Sequence, residues 1–411
     1  MNINKKYLVV NAGSSSLKFT LFSMPDEELI VKGNIEKIGE ERSVWKISNE
    51  LETIGKGEAI VKNHSDAVNL MLSELFVNKI INDISEINGI GHRILHGGEK
   101  YNDSVLINDE VKADIRSLTK LGPLHHPSEL DCIDAMENFF PDTPMVAVFD
   151  TAFHQTIDNE RYMYPVPYSW YTDYGVRKYG FHGTSYKYIT ETMKEKLNKE
   201  EVNLIICHIG SGASIAAVRN GISYDTTMGL TPLDGLMMGT RCGDIDTSII
   251  EYVKDNSDKT EHQIMEELNK NSGFLGITGK NDYRDVQALA DEGNEKAILA
   301  IKMFRNSIIK YIAQYYVELN GKIDALVFTA GIGENASIVR KIVVEKLTAT
   351  MGIAIDEERN NSIAGFKEIK EGIITTDNSN FPVYVIPTNE ELMIMKDTYR
   401  IIDEKGKVLV K

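Results

Sequence analysis

Short runs of apolar residues alternate along the chain with longer stretches in which apolar residues recur every three or four positions, the pattern of an α/β fold. Residues 7–10, 145–149, 204–207, 325–328 and 383–386 are continuous apolar runs and predict buried strands. Residues 294–319 predict a helix on which Ile298, Ile301, Ile308 and Ile312 share a core-facing stripe. A second helix is predicted over 337–351, stopped by Gly352, because glycine readily takes the left-handed turn at a helix C-terminus. One pattern occurs twice. Residues 8–18 read LVVNAGSSSLK and residues 204–215 read LIICHIGSGASI, each an apolar strand running into a Gly/Ser turn and a second strand. Such a turn presents backbone N–H groups and hydroxyls to phosphate oxygens. Two copies predict two related domains that hold one nucleotide.

Length agrees, since 411 residues exceed one ordinary core. The apolar content of 42% and the charged content of 26% are those of a globular protein. A net charge of −16 argues against a nucleic-acid binder, yet local arginines can make a positive cleft inside an acidic envelope. Cys132, Cys207 and Cys242 are scattered and odd in number, so neither a disulfide framework nor a zinc site is expected. The first ten residues hold only a four-residue apolar run, too short for a signal peptide or a membrane span. The expected setting is the cytoplasm, with no membrane partner.

The candidate chemistry lies where glycine-rich segments carry isolated cations. Arg241 stands in GTRCGDID (239–246) and His182 in YGFHGT (179–184). An arginine in such a turn offers a planar fork of donors to carboxylate or phosphate oxygens, as phosphoryl transfer requires. In the first turn Asn11 and Lys18 read either as a polar hairpin or as metal and phosphate ligands. The segment GHRILHGGE (91–99) has too many glycines and polar residues for a core. Its Arg93 reads as an anion ligand, with a structural ion pair as the alternative, and its histidines do not form a metal site. In GPLHHP (122–127) one histidine faces a ligand and the other packs or meets solvent. Asp150 ends the strand at 145–149, where ligands bind in open α/β sheets, unless it caps a helix. AGIGEN (330–335) is a strand–glycine turn–helix unit whose helix start can face a nucleotide. Asp282, Tyr283 and Arg284 either cap a helix or contact adenosine. In 388–391, Thr388 and Glu391 form a capping box while Glu390 is placed for a magnesium ion.

Taken together and in order, GHRxxHGGE, VAVFDTAFHQT, YGFHGTS, MGLTPLDGLMMGTRxGDID, AGIGEN and PTNEEL resemble the motifs of the acetate kinases, the acetokinase family. The resemblance runs from Asn11 to Glu390. It implies the duplicated two-domain α/β fold of sugar kinases, heat-shock chaperone ATPases and actin, with the active site in the interdomain cleft. One domain would be 1–150 closed by 386–411, the other a nucleotide-binding domain at 151–385. The implied reaction is reversible, direct in-line phosphoryl transfer from ATP to acetate with Mg²⁺ (Mn²⁺ as an alternative), in a homodimer. By position, Asn11 and Glu390 would serve the metal, and Asp150, His182 and Arg241 the chemistry. Arg93, Leu95, Leu124, His125, Phe181 and Pro232 would hold acetate. Lys18, His208, Ile209, Gly210, Ser211, Gly212, Asp282, Tyr283, Arg284, Gly331, Ile332, Gly333, Glu334 and Asn335 would bind ATP.

Four departures from the family pattern stand out. HLGNG is here HIGSG, so Ser211 replaces an amide; PLHNPAN is PLHHPSE at 123–129; GTSH is GTSY; and Thr247 replaces a proline. Alternatives are a propionate or butyrate kinase or, more remotely, a non-catalytic nucleotide switch of the same fold. The latter has no use for Arg93, Arg241 and His182 together.

Overall fold

The computed structural model of the protein describes residues 4–404 except Leu124 and Phe366. The chain forms two compact units. One holds the chain up to Gln155 together with the segment from Asn389 onward, and the other is Thr156–Thr388.

The first unit is built on a sheet of eight strands: β1 (Lys5–Gly13), β2 (Ser16–Met24), β3 (Glu28–Glu36), β4 (Ser43–Ser48), β5 (Thr53–Ala59), β6 (Ile87–Ile94), β7 (Val105–Leu106) and β8 (Met145–Phe149). Their order is β5-β4-β3-β2-β1-β6-β8-β7, with β1, β6 and β8 mutually parallel. Alternation along β1 explains why its whole apolar run is buried. Leu8 and Val10 enter one core with residues of helices His64–Val77 and His126–Phe139. Tyr7 and Val9 enter another with Ile394 and Met395 of helix Glu390–Tyr399.

The glycine-rich segment at 91–99 departs from the sequence expectation. It begins inside β6, and His92 and His96 are both buried. Glycine is what lets the helix come so close: a methyl on Gly91 would lie 2.2 Å from Thr398 Oγ1 and 2.8 Å from Ile394 Cγ2. Burial holds the His92 imidazole neutral, with its pKa down at about 3.

The second unit has six strands: β9 (Leu204–Ile209), β10 (Ala213–Arg219), β11 (Ile222–Thr226), β12 (Ala325–Thr329), β13 (Gly372–Ile373) and β14 (Val383–Val385). Their order is β11-β10-β9-β12-β14-β13, with β9, β12 and β14 parallel. This repeats β3-β2-β1-β6-β8: a hairpin on one side of the central strand and two parallel strands on the other. The echoed Gly/Ser turns are the two equivalent hairpins, β1–β2 and β9–β10. The long helix is Glu295–Glu318, capped by Asn294, with Ile301, Ile308 and Ile312 buried and Ile298 at the margin. Helix Ser337–Met351 ends at Gly352 with φ 64°, as its sequence predicts. The glycine turn before it is itself a short helix, Ala330–Asn335.

Candidate active site

In the first unit the candidate side chains gather at the carboxyl ends of β1, β6 and β8. The hairpin register sets Asn11 directly opposite Lys18, and both line a cavity of about 20 Å³ with Arg93, Glu390 and Glu391. Arg93 donates from Nε to Asp150 Oδ1 at 3.2 Å, from Nη2 to Asp150 Oδ2, and from Nη1 to Asn11 Oδ1 at 3.4 Å. Asp150 is therefore half of a two-pronged ion pair. Burial alone would lower the Arg93 pKa, but the charges of Asp150 and Glu390 raise it above its ordinary value.

Glu390 opens helix Glu390–Tyr399, and the cap is Asn389, whose side chain accepts from Leu392 N–H at 3.0 Å. Thr388 is not the cap; its N–H donates to Glu334 Oε1 at 3.2 Å. Asn389 thus frees Glu390. Burial, reinforced by the Asp150 charge and opposed by Arg93, pushes the Glu390 carboxyl up to about 7. Asn11 and Glu390 supply hard oxygen donors beside a space the size of one water. That fits a small divalent cation completed by phosphate and water. Among the described residues no group of three or more His, Cys, Asp or Glu forms a metal cage.

Leu95 is 6% exposed and its N–H donates to Glu129 Oε1 at 3.0 Å. Of the paired histidines, His126 is fully buried and His125 is half-buried at the start of helix His126–Phe139. Leu124 lies outside the described residues.

In the second unit, helix Gly183–Leu197 starts from His182, which is held at φ 58°. A left-handed conformation is costly for a residue with a Cβ and is typically kept where a side chain must be aimed. His182 Nδ1 meets Ser214 Oγ at 2.8 Å, and Tyr186 Oη meets the same hydroxyl. The ring stacks on His208, with centroids 4.1 Å apart. Arg241 reaches the same place. A methyl on Gly212 would lie 3.5 Å from Arg241 Nη2 and 3.6 Å from His182 Nε2, so the guanidinium and the imidazole both reach the bare face of this glycine. Arg241 Nη1 donates to Pro232 O at 2.9 Å, and no carboxylate lies within ion-pair distance of it among the described residues. Burial lowers its pKa. Phe181, the neighbour of His182, is buried.

A cavity of about 730 Å³ opens in this unit, within the size range of small-molecule sites. It brings together Gly210, Ser211, Asp282, Tyr283, Arg284, Gly331, Ile332 and Asn335. Asp282 caps helix Tyr283–Asp291, as one reading of its segment expects, and it also lines the cavity. Arg284 is tied to Asp282 through Nη2 at 2.7 Å. His208, Ile209, Gly212, Gly333 and Glu334 are not in the cavity wall. His208 is buried, its pKa lowered to about 4 by that burial, with Nδ1 on Ser185 Oγ at 2.8 Å.

Sequence reasoning missed Gly239 and Asn281 in the wall, where Gly239 N–H donates to Ser211 O at 3.1 Å. It also missed Arg340. This arginine is fully buried with no carboxylate partner among the described residues, and it donates to the carbonyl oxygens of Gly333, Glu334, Asn360 and Ile363 and to Asn360 Oδ1. It fastens the end of the glycine turn. A signal existed: Arg340 shares the helical stripe of Val343, Val344 and Leu347, where a charge is anomalous.

These two clusters can be set beside known proteins. The chain matches the acetokinase family over residues 6–396. It is 47% identical to an acetate kinase of Bacillus cytotoxicus over 399 residues, 96% of this chain and 98% of that protein. It is 48% identical to an acetate kinase of a Geobacillus species, with the same coverage. Among solved structures, the acetate kinase of Porphyromonas gingivalis superposes with a TM-score of 0.92 at 39% identity, covering 97% of this chain and all of that one. A propionate kinase of Francisella tularensis superposes with a TM-score of 0.89 at 42% identity and the same coverage. The chain belongs to the acetokinase family.

Proposed function

We propose that this protein catalyses the reversible transfer of the γ-phosphoryl group of ATP to acetate, giving acetyl phosphate and ADP by direct in-line displacement. The observation that carries the reading is the convergence of Arg241 and His182 on bare Gly212, in a unit that also has a cavity of nucleotide size. Acetate is ionised at neutral pH, so no base is needed to activate it. The difficulty is bringing a carboxylate against a polyphosphate. Arg93, oriented by Asp150, binds the acetate carboxylate, with the Leu95 side chain and the Phe181 ring against its methyl group. Arg241 and His182 hold the equatorial oxygens of the moving phosphoryl, and the Ser214 hydroxyl on Nδ1 fixes the imidazole orientation. Lys18 neutralises phosphate charge. Mg²⁺, held by Asn11 and Glu390, would offset charge on the phosphate oxygens. The adenosine lies along Asp282, Tyr283 and Gly331.

The same reading divides the protein into an N-terminal domain completed by the C-terminal helix and a nucleotide-binding domain. It also makes it a cytoplasmic homodimer. Free Cys132, Cys207 and Cys242 are consistent with a reducing compartment. Tyr168, Trp170 and Tyr174 of one short helix are 68%, 47% and 71% exposed, the kind of aromatic surface that subunit contacts cover. No helix among the described residues is long and apolar enough to cross a membrane.

Trapping with hydroxylamine tests the proposal. ATP with acetate should yield acetyl hydroxamate, and propionate and butyrate should react more slowly. Hydroxamate from propionate or butyrate in preference to acetate would reassign the substrate. No hydroxamate from any acid would end the carboxylate kinase reading.

A further inference from the structure

Glu129 is a carboxyl for which the reaction has no stated use. It lies on helix His126–Phe139, is 2% exposed, and accepts the Leu95 N–H through Oε1 at 3.0 Å. Its second oxygen has no hydrogen-bond partner among the described residues and lies 3.9 Å from Nε2 of His126, one turn back. The same imidazole packs where the Leu95 side chain does. A methyl on Gly122 would meet His126 Nε2 at 3.1 Å and Leu95 Cδ2 at 3.2 Å. Leu95 is thus held by its backbone through Glu129, and its side chain shares the bare face of Gly122 with His126.

Burial pushes the Glu129 carboxyl up to about 8, against the opposing pull of Arg93, and holds His126 down at about 4. At neutral pH the proton therefore rests on Glu129 and the pair is uncharged. Among the described residues, the charged and titratable groups around the pair are Arg93 at the end of β6, Asp150 after β8, His126 and Cys132 on the same helix, and His96 and His125 beside His126. Above its pKa, Glu129 places a negative charge near the arginine that receives the substrate carboxylate.

We propose that Glu129 is a positioning residue which, backed by His126, fixes Leu95 and so sets how long an acyl chain the protein accepts; this rests on the reading of Leu95 as part of the acyl pocket. Removing the acceptor frees the Leu95 amide and lets the side chain withdraw. Replacing the carboxyl by an amide keeps the acceptor but cannot ionise.

The test uses the full-length protein and its Glu129→Ala, Glu129→Gln and Leu95→Ala variants, with kcat and KM for acetate, propionate and ATP from about pH 6 to about pH 9. Glu129→Ala should lower the acetate-over-propionate preference in kcat/KM by about tenfold while the KM for ATP stays within about twofold. Glu129→Gln should restore the preference. The wild-type KM for acetate should climb above about pH 8, a rise that Glu129→Gln lacks. If Leu95→Ala changes the preference and Glu129→Ala does not, the acyl-pocket reading stands and the role of Glu129 is overturned. If Leu95→Ala leaves the preference unchanged, the pocket reading itself fails. Should Glu129→Ala not fold, the pH profile decides: an alkaline rise that persists in Glu129→Gln overturns the proposal.

Discussion

Arg93 and Arg241, the two arginines assigned to the reaction, are built into opposite surroundings. Arg93 is 19% exposed, doubly bonded to Asp150, and placed with Glu390 beside an ion-sized space. Its charge is compensated before any substrate arrives. Among the described residues Arg241 has one carbonyl and one thioether as partners, and it shares the bare face of Gly212 with His182 rather than with a carboxylate. Its charge is reserved. The difference teaches how the labour divides. A compensated arginine can hold a carboxylate that is present throughout the cycle, with fixed geometry and little net change of charge. An uncompensated one exerts its full field on charge that develops only in the transition state, and there it changes rate. Arg340 is a third case, buried and bonded among the described residues to neutral oxygens alone, and it braces backbone carbonyls.

If that division is right, Arg241→Ala should show the largest kinetic loss. We expect kcat to fall by two to three powers of ten, about 3–4 kcal/mol, with a much smaller change in the KM for ATP. Arg241→Lys should recover little, because a point charge cannot reproduce the guanidinium fork. Near-normal turnover in Arg241→Ala would erase the contrast. Arg340→Met should act through the fold instead. It strands buried carbonyls at about 1–3 kcal/mol each before relaxation, so thermal melts should drop and the KM for ATP should rise with the loosened turn. A stable variant with normal ATP affinity would detach Arg340 from the nucleotide site.

Glu390 sharpens the other half of the comparison through pH. With its carboxyl up at about 7, it is protonated below that pH, and a cation must displace the proton. The apparent Mg²⁺ requirement should therefore grow by up to about tenfold per pH unit on going below about pH 7 and level off above it. Glu390→Gln should need more Mg²⁺ at all pH values and lose the slope; magnesium titrations across pH read both. The smallest effect expected is at Ser211, where Ser211→Asn restores the family amide. It should shift the KM for ATP a few-fold, of order 1 kcal/mol, and leave that for acetate alone. Equal shifts would place Ser211 away from the phosphates.

Local features were legible in the sequence. Apolar runs marked the central strands, Gly352 marked a helix end, and the repeated Gly/Ser turn marked the duplicated hairpins. The cations of both clusters were legible too, because a charge among glycines is chemically conspicuous. What escaped was set by contacts distant in sequence. The glycines of β6 look like a loop until helix Glu390–Tyr399 is seen to pack on them. Thr388 and Asn389 are equally good caps by propensity, and tertiary placement decided for Asn389. The apolar stripe of its helix marks Arg340 as anomalous, but what it holds depends on two distant segments, 333–334 and 360–363, whose carbonyls surround it. The Glu129–His126 pair likewise depends on where helix His126–Phe139 meets the segment after β6.

The central claim is that both clusters supply charge, and neither supplies a nucleophile, to one direct transfer. The most direct measurement is the stereochemical course at phosphorus, using ATP made chiral at the γ-phosphoryl group with oxygen isotopes and sulfur. A single in-line displacement by acetate predicts inversion in the acetyl phosphate product. Retention would mean two displacements through a phosphorylated side chain, and would contradict the account.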